Sequence, residues 1–253
     1  MLAAALMLGF LALPLAGILS RAIGMGSIVD ALRRPIAVEA LRLSLMTTMV
    51  VLGVALALGS PLALLLARRR FRGATVVDTL VDLPMVLPPA VAGIGLLLTF
   101  GRRGLLGPAL SGFGIEVGFT TAAVVLAELF VAAPFYIRAA RAGFLGVPRE
   151  IEEAAMVEGA TNWQVFRLVT APLAAPALAG GAVMCWARAL GEFGATIMFA
   201  GSFLGRTQTM PLAIYAALEQ DLDAAIALSL VLLLVSFVLL LGFRRWLQGS
   251  AYE

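Results

Sequence analysis

The chain has 253 residues, of which 62% are hydrophobic and only 13% are charged. A soluble domain is about 45–50% apolar and about 25% charged, so this composition excludes a chain that is surrounded by water on all sides. The net charge of +3 is small and is spread over the loops, which indicates no nucleic-acid-binding surface. With no His and a single Cys, Cys185, the chain has no intrachain disulfide, none of the usual zinc, haem or iron–sulfur sites, and no His-assisted nucleophile.

Six apolar segments predict an all-α integral membrane protein, because each is long enough to cross a bilayer, which takes about 17–25 residues. The segments are Leu2–Leu19, Ala37–Ala67, Pro84–Phe100, Phe119–Ile137, Leu173–Thr196 and Ala224–Phe243. The first lacks the basic start and the small-residue cleavage site of a signal peptide, so we expect a retained span. The second is long enough to tilt or to project into water. We expect residues 1–253 to form one transmembrane domain.

Arginine in the loops predicts the orientation, since cytoplasmic loops carry the excess of basic residues. If both termini lie in the cytoplasm, the inner loops hold Arg68, Arg69, Arg70, Arg72, Arg138, Arg141, Arg149, Arg167, Arg244 and Arg245. The outer loops then hold Arg21, Arg33, Arg34, Arg102, Arg103 and Arg206. We therefore predict a multi-pass protein of the cell membrane with cytoplasmic termini.

Prolines and glycines set the third and fifth segments apart from the others. Pro84, Pro88 and Pro89 cannot all lie inside a regular helix, so the third segment should be kinked. Glycines that let helix backbones approach closely are Gly93 and Gly95 in the third segment and Gly180, Gly181, Gly191 and Gly194 in the fifth. Two interpretations are open: helix packing alone, or a gate that the two segments form on a translocation path.

The loop of residues 140–172 is predicted to contain two short amphipathic helices. Pro148 precedes the run Arg149-Glu150-Ile151-Glu152-Glu153, and acidic residues favour the first turn of a helix. Gly159 should end this helix, and Thr161 or Asn162 can cap the next one. The apolar residues of both helices need a partner surface.

This loop resembles the EAA loop of ABC importer permeases. The matching positions are Glu153-Ala154-Ala155, Gly159, Val169 and Ala171-Pro172, where Ala171 stands in place of the usual Leu. The resemblance implies that the loop couples the chain to a separate cytoplasmic ABC ATPase dimer. The coupling residues it implies are Glu152, Glu153, Ala154, Ala155, Glu158, Gly159, Ala160 and Pro172. The alternative is an interfacial helix on lipid, which favours basic rather than acidic residues on its polar face.

A second resemblance, to molybdate importer permeases, rests on the stretches of residues 187–201 and 206–215. They read ARALGEFGATIMFAG and RTQTMPLAIY, and sulfate and thiosulfate permeases share the Gly-Glu-Phe-Gly core. The resemblance implies a six-transmembrane-helix, type I importer-like bundle that translocates molybdate or tungstate. It also implies a homodimer in membrane lipid, with an ATPase dimer beneath it and an extracytoplasmic oxyanion-binding protein above.

Apart from Glu39 and Arg42 near the start of the second segment, the charged residues within the apolar segments are Glu128, Arg188 and Glu192, and each of these three needs a partner. Glu128 is expected to bond to a neighbouring helix. Arg188 and Glu192 stand four residues apart on one predicted helix face, so they either pair with each other or across a subunit interface, or border the substrate path. If a path is present, its predicted lining is Pro88, Arg188, Glu192, Phe193 and Thr196, and its contacts must be weak because the cargo has to be released.

The chain has no Lys and therefore no Walker loop, so it is not expected to be an enzyme. No cofactor or metal is expected in it, and ATP and Mg²⁺ would be bound by the partner ATPase. The rival functions are a sulfate or thiosulfate ABC permease and an ATPase-independent secondary anion transporter. In the latter, Glu128, Arg188 and Glu192 would be the coupling charges.

Overall fold

The computed structural model describes residues 1–24, 35–69 and 71–249, and within them it contains helices and no strand. Arg33, Arg34 and Arg70, which were counted for the orientation, lie outside the described residues. The first six α-helices are α1 (Leu2–Gly24), α2 (Pro35–Arg68), α3 (Ala74–Val86), α4 (Pro89–Phe100), α5 (Gly107–Gly112) and α6 (Thr121–Leu145). They are followed by α7 (Arg149–Val157), α8 (Asn162–Val165), a π-helical turn (Phe166–Thr170), α9 (Ala171–Leu190), α10 (Gly194–Ala200), α11 (Met210–Leu218) and α12 (Leu222–Gly249).

Five stretches of the described chain are long and apolar enough to cross a membrane. They are Leu2–Arg21, Pro35–Arg68, Thr121–Leu145, Asn162–Leu190 and Leu222–Phe243. The bent pair α3–α4 makes a sixth span if it is counted as one. The prediction of an all-α bundle of membrane helices is confirmed, and so is the kink predicted in the third segment.

The third segment is bent by 118° between α3 and α4 because of its prolines. Steric clash with a proline ring drives the preceding residue out of the helical region. Leu87 precedes Pro88 and Pro88 precedes Pro89, and both have extended backbones, with ψ of 135° and 133°. Pro84 stays inside α3 and is buried. The break therefore falls at residues 87–88, and α3 begins well before the predicted segment.

The fifth segment also differs from its prediction, at both ends. Its helix is interrupted after Leu190 and resumes as α10 at Gly194. At its start, α8, the π-helical turn and α9 run on as one helical stretch, Asn162–Leu190. The second helix of the predicted amphipathic pair is therefore the first turn of a membrane helix and not a separate element.

The chain divides into two compact units. One contains Met1–Leu45 and Ser202–Gly242, and its apolar core is formed by Ala37, Ala40, Met210, Ala213, Leu228 and Val231. The other contains Met46–Gly201 and the residues from Phe243 on. It carries all of the predicted site residues.

Helices α6 and α9 pack along each other at the centre of this second unit. A Cβ added at Gly143 would lie 2.6 Å from Ala177 Cβ, and one added at Gly181 would lie 2.6 Å from Ala139 Cβ. Small residues thus bring the two backbones into close contact, as is common between membrane helices. Cys185 is fully buried in this core, as expected of a packing residue.

Candidate functional site

The breaks in the third and fifth segments pack against each other. A Cβ added at Gly194 would lie 2.6 Å from Pro89 Cβ, and one added at Gly93 would lie 2.6 Å from the Ala195 carbonyl oxygen. Non-helical backbone at membrane depth is tolerated only where protein buries it or where it lines a water-filled cavity. Broken helices that meet inside a membrane protein are also typical of transport sites.

Glu192 lies at the break itself and connects its two sides. Its Oε2 atom is 2.7 Å from Arg188 Nη2, and its Oε1 atom accepts a hydrogen bond of 2.8 Å from the Ala195 backbone N–H. The carboxylate therefore pairs with the end of α9 and also caps α10. It is fully enclosed, with a side chain 1% exposed, whereas the Arg188 side chain is 28% exposed.

The ion pair between Arg188 and Glu192 is confirmed, but its predicted geometry is wrong. Glu192 does not share a helix face with Arg188, because α9 ends at Leu190 and Gly191 turns the chain. The pair closes across that turn. Of the other predicted path residues, Pro88 is exposed in the first break and Phe193 precedes α10.

Thr196 is buried in α10, and its hydroxyl oxygen has no hydrogen-bond partner among the residues that the structure describes. An unpaired buried hydroxyl is costly, so such groups are uncommon in folded proteins.

Glu128 forms a second buried polar contact, between α6 and α2. Its Oε1 atom accepts a hydrogen bond of 3.0 Å from Thr47 Oγ1 on α2, which confirms that this carboxyl bonds to a neighbouring helix. Its other oxygen has no partner within the described part of the chain. The side chain is 1% exposed and thus has no direct access to water here.

Helix α7 carries the Glu-Ala-Ala sequence and leaves an apolar surface uncovered. Val157 is 85% exposed, and Ile151 and Met156 are 45% and 44% exposed. Trp163 on α8 stacks on Phe166 at a centroid distance of 5.6 Å and is still 66% exposed. Exposed apolar groups of this kind, rimmed by acidic residues, are typical of an interaction surface.

The turn between α7 and α8 has the local structure that the sequence predicts. Gly159 has a φ of 92°, a conformation that glycine adopts without strain. Thr161 is the N-cap of α8 and forms a capping box with Gln164, in which each side chain bonds the other's backbone N–H. The prediction of a cap at Thr161 or Asn162 is thereby resolved in favour of Thr161.

The predicted coupling residues do not all face outward. Those on the exposed side are Glu153, Ala154, Glu158, Gly159 and Pro172, and Ala155 and Ala160 are partly buried. Glu152 instead turns toward the body of the unit. It pairs with Arg68 at 2.9 Å and accepts a hydrogen bond of 2.6 Å from Thr170 Oγ1.

A second set of ion pairs joins α3 to α6 and was missed at the sequence level. Asp78 pairs with Arg138 at 2.9 Å and also with Arg141, and Arg138 pairs with Asp82. Both aspartates and both arginines lie about one helical turn from each other, on faces that meet. The i, i+4 spacing of the aspartates and the i, i+3 spacing of the arginines indicate that each pair lies on one helix face. These spacings do not indicate that the two helices pack against each other.

Residues 59–249 match the family of binding-protein-dependent transport system inner membrane components. The chain belongs to this family. The Mycobacterium tuberculosis molybdenum transport system permease protein ModB is 44% identical over 208 residues, which cover 82% of this chain and 79% of that protein. ModB of Escherichia coli K12 is 39% identical over 217 residues, which cover 85% and 95%. The molybdate/tungstate permease protein WtpB of Thermococcus kodakarensis is 39% identical over 195 residues, which cover 77% and 74%.

Solved structures show the same fold at lower sequence identity. A chain of a bacterial ABC transporter that imports alginate has a TM-score of 0.76 at 18% identity, with 98% of this chain and 94% of that chain covered. A chain of the MetNI methionine ABC transporter has a TM-score of 0.65 at 19% identity, with 85% and 96% covered. The recognition of an ABC-importer permease fold related to molybdate permeases is confirmed. As a member of this family, the chain is a multi-pass inner-membrane transport permease and not an enzyme.

Proposed function

We propose that this permease forms the membrane pathway of a binding-protein-dependent ABC importer for molybdate or tungstate. Two copies enclose the pathway, an ATPase dimer docks beneath them, and an extracytoplasmic binding protein delivers the anion. The observation that carries the proposal is the placement of the Glu-Ala-Ala sequence on α7. In the chain, α7 lies between the membrane helices Thr121–Leu145 and Asn162–Leu190, and the glycine turn at Gly159 follows it. Its apolar surface is uncovered.

The coupling step uses the exposed side of α7. Ala154 is small enough to enter a groove on another protein, and Ile151, Met156 and Val157 offer apolar area that docking would bury. Glu153 and Glu158 beside them favour a basic rim on the ATPase. ATP binding would close the ATPases, move α7, and switch the bundle from inward-open to outward-open.

The gate in this proposal is the place where the breaks of the third and fifth segments meet. Gly93 and Gly194 hold the two breaks in direct contact, so a displacement of one has to displace the other. Arg188 is partly exposed next to it and is the cation available to an oxyanion of charge −2. Because Glu192 already neutralises Arg188, its attraction for the anion is weak, which suits a path that has to release its cargo.

The substrate rests on the relatives, whose names include molybdenum, molybdate and tungstate. The test is uptake of labelled molybdate by proteoliposomes that contain the permease and its ATPase, with loaded binding protein outside and ATP inside. We expect uptake that needs all three proteins and that tungstate competes for. Uptake of sulfate or thiosulfate in preference would support the rival ABC permease. Uptake driven by an ion gradient without the ATPase would support a secondary transporter.

The orientation, with both termini and α7 in the cytoplasm, is tested by thiol labelling. The loop before α3 is predicted to be cytoplasmic. A cysteine at Gly73 would be strained, because this residue has a φ of 94°, so we place the cysteine at Thr75, which is exposed at the start of α3. In a Cys185→Ala background, Thr75→Cys should resist a membrane-impermeant thiol reagent in intact cells. Ser111→Cys on the exposed surface of α5 should react readily. The reverse pattern would invert the topology.

A further inference from the structure

We propose that Glu152 is a positioning residue that fastens the docking helix α7 to the ends of two membrane helices, α2 and α9. Through this link a movement of α7 reaches both helices. The role of Glu152 in transport rests on the proposed function. The link itself is formed within one chain and needs no partner protein.

Glu152 accepts hydrogen bonds from both membrane helices at a single oxygen atom. Its Oε1 atom is 2.9 Å from Arg68 Nη2, and Arg68 is the last residue of α2. The same oxygen accepts a bond of 2.6 Å from Thr170 Oγ1, at the end of the π-helical turn that leads into α9. One carboxylate thus joins three elements, and charge-assisted hydrogen bonds of this kind are among the stronger ones.

Two further bonds close the junction between α2 and α7. Arg68 Nη2 also donates to the Val147 carbonyl at 3.1 Å, just before α7. Arg149 Nη2, from the first residue of α7, donates to the Arg68 carbonyl at 3.1 Å. The last carbonyl groups of a helix have no hydrogen-bond donor within the helix, and Arg149 provides a donor for the one at the end of α2. The two arginines therefore bind each other's segments reciprocally.

Polar contacts and not apolar packing hold α7 in place. None of the nine residues of α7, all of them within the described chain, is buried. Between the last turns of α2, helix α7 and the α8–π-helical stretch lies a cavity of about 400 Å³, lined among others by Pro61, Leu64, Met156 and Phe166. The Arg68 and Glu152 side chains are only 17% and 14% exposed beside this cavity. The link between α7 and α2 thus depends on polar contacts, and the Arg68–Glu152 ion pair is the one among them that joins two largely enclosed side chains.

Other glutamates on the same helix offer a matched control. Glu150 is exposed, so Glu150→Gln makes the same chemical change on α7 without touching the junction. Glu152→Gln keeps the size of the side chain but removes its charge. Thr170→Val removes only the hydroxyl donor and should have a smaller effect in the same direction.

The first measurement follows the junction in the purified permease, by hydrogen–deuterium exchange of the amides of residues 149–157. We expect Glu152→Gln to accelerate this exchange by about tenfold, because an opening of α7 no longer has to break the ion pair. Glu150→Gln should leave it at the wild-type rate. Unchanged exchange in Glu152→Gln would overturn the link, whatever the protein transports.

The second measurement is molybdate uptake per ATP hydrolysed, in proteoliposomes with ATPase and loaded binding protein. We expect Glu152→Gln to bind the ATPase as well as wild type but to lower this ratio by about tenfold, because movements of α7 reach α2 and α9 less completely. The double variant Arg68→Gln/Glu152→Gln should be no worse than either single variant, as expected for residues that act through one contact. A ratio equal to that of Glu150→Gln would refute the transmission role.

These results separate the inference from the proposed function. If wild type neither binds an ATPase nor takes up molybdate, the proposed function fails, while the exchange measurement still decides the junction. If Glu152→Gln loses ATPase binding in proportion to uptake, Glu152 belongs to the docking surface and the positioning role is wrong.

Discussion

Two glutamates of this permease each bind an arginine and one further donor, but in very different surroundings. Glu192 accepts from Arg188 at 2.7 Å and from the Ala195 N–H at 2.8 Å. Glu152 accepts from Arg68 at 2.9 Å and from Thr170 at 2.6 Å. Each joins a helix end to a neighbouring element. Glu192, however, is 1% exposed at the packed break, whereas the side chain of Glu152 is 14% exposed on a helix without buried residues.

The difference indicates that burial, and not bond geometry, decides what such a pair does. Around Glu192 close packing already determines the structure, so loss of the pair leaves an unpaired charge in a space that cannot adjust. Around Glu152 little packing supports α7, so loss of the pair leaves a helix that water can solvate. We therefore expect the first change to reduce stability and the second to reduce the transmission of movement.

The largest effect is expected at Glu192. Glu192→Ala removes the partner of Arg188 and the cap of α10 together, and should destabilise the permease by about 3 kcal/mol. This is the lower end of the range for breaking a buried pair, because the Arg188 side chain is 28% exposed. The measurement is the midpoint of thermal unfolding in detergent.

Glu192→Gln separates the two contributions, because its amide oxygen can still accept from the Ala195 N–H. We expect a loss of stability that is clearly smaller than that of Glu192→Ala. Equal losses for the two variants would mean that the cap contributes nothing and the charge everything. Stability equal to wild type in Glu192→Ala would contradict the comparison itself.

Next in size is the effect of packing at the two breaks. Gly93→Ala places a methyl group 2.6 Å from the Ala195 carbonyl oxygen, and such overpacking costs about 1–3 kcal/mol. Gly95→Ala is a matched control two residues along α4, since no described atom lies within 4 Å of a Cβ there. Gly93→Ala should lower both the unfolding midpoint and molybdate uptake, while Gly95→Ala should change neither. Normal uptake by Gly93→Ala would argue against a gate at this contact.

A somewhat smaller effect is expected at the turn behind the docking helix. At Gly159, with φ at 92°, a β-branched side chain is strained by about 1–3 kcal/mol, whereas Asn tolerates positive φ. Gly159→Val should therefore weaken pull-down of the ATPase and lower stimulated hydrolysis, and Gly159→Asn should retain most of both. The turn is exposed, so the membrane helices of either variant should still fold. Wild-type binding by Gly159→Val would show that α7 is not the coupling element.

The sequence was sufficient for the local features because short-range chemistry determines them. Gly159 requires positive φ, Thr161 caps α8, and Pro88 and Pro89 bend the third segment. Of the glycines expected at close contacts, Gly93, Gly181 and Gly194 are in such contacts. Nothing described lies within 4 Å of a Cβ added at Gly95 or Gly180, and a Cβ added at Gly191 would lie 3.6 Å from the Ala187 oxygen of its own turn.

The sequence was insufficient wherever two distant segments had to be matched. The spacing of Arg188 and Glu192 predicted a pair, but not the chain break that lies between them. Glu152 was expected to face an ATPase because it lies beside the Glu-Ala-Ala sequence. Its partner Arg68 is 84 positions away, and no local pattern indicates that contact. Which side chain turns inward depends on tertiary packing, which periodicity alone does not specify.

The smallest effect is expected at an exposed ion pair with the same geometry. Arg102 Nη2 lies 2.7 Å from Glu116 Oε1 and 2.8 Å from Oε2, which is at least as close as the pairs at Glu192 and Glu152. Its side chains, however, are 74% and 58% exposed. Water and salt screen such a pair, and exposed pairs contribute about 0.2–1 kcal/mol. Glu116→Gln should therefore leave the unfolding midpoint and uptake within error of wild type, and any small change should vanish in 1 M salt. If it destabilised the permease as much as Glu192→Gln, then distance and not burial would determine the strength of these pairs, and the contrast between Glu192 and Glu152 would need another cause.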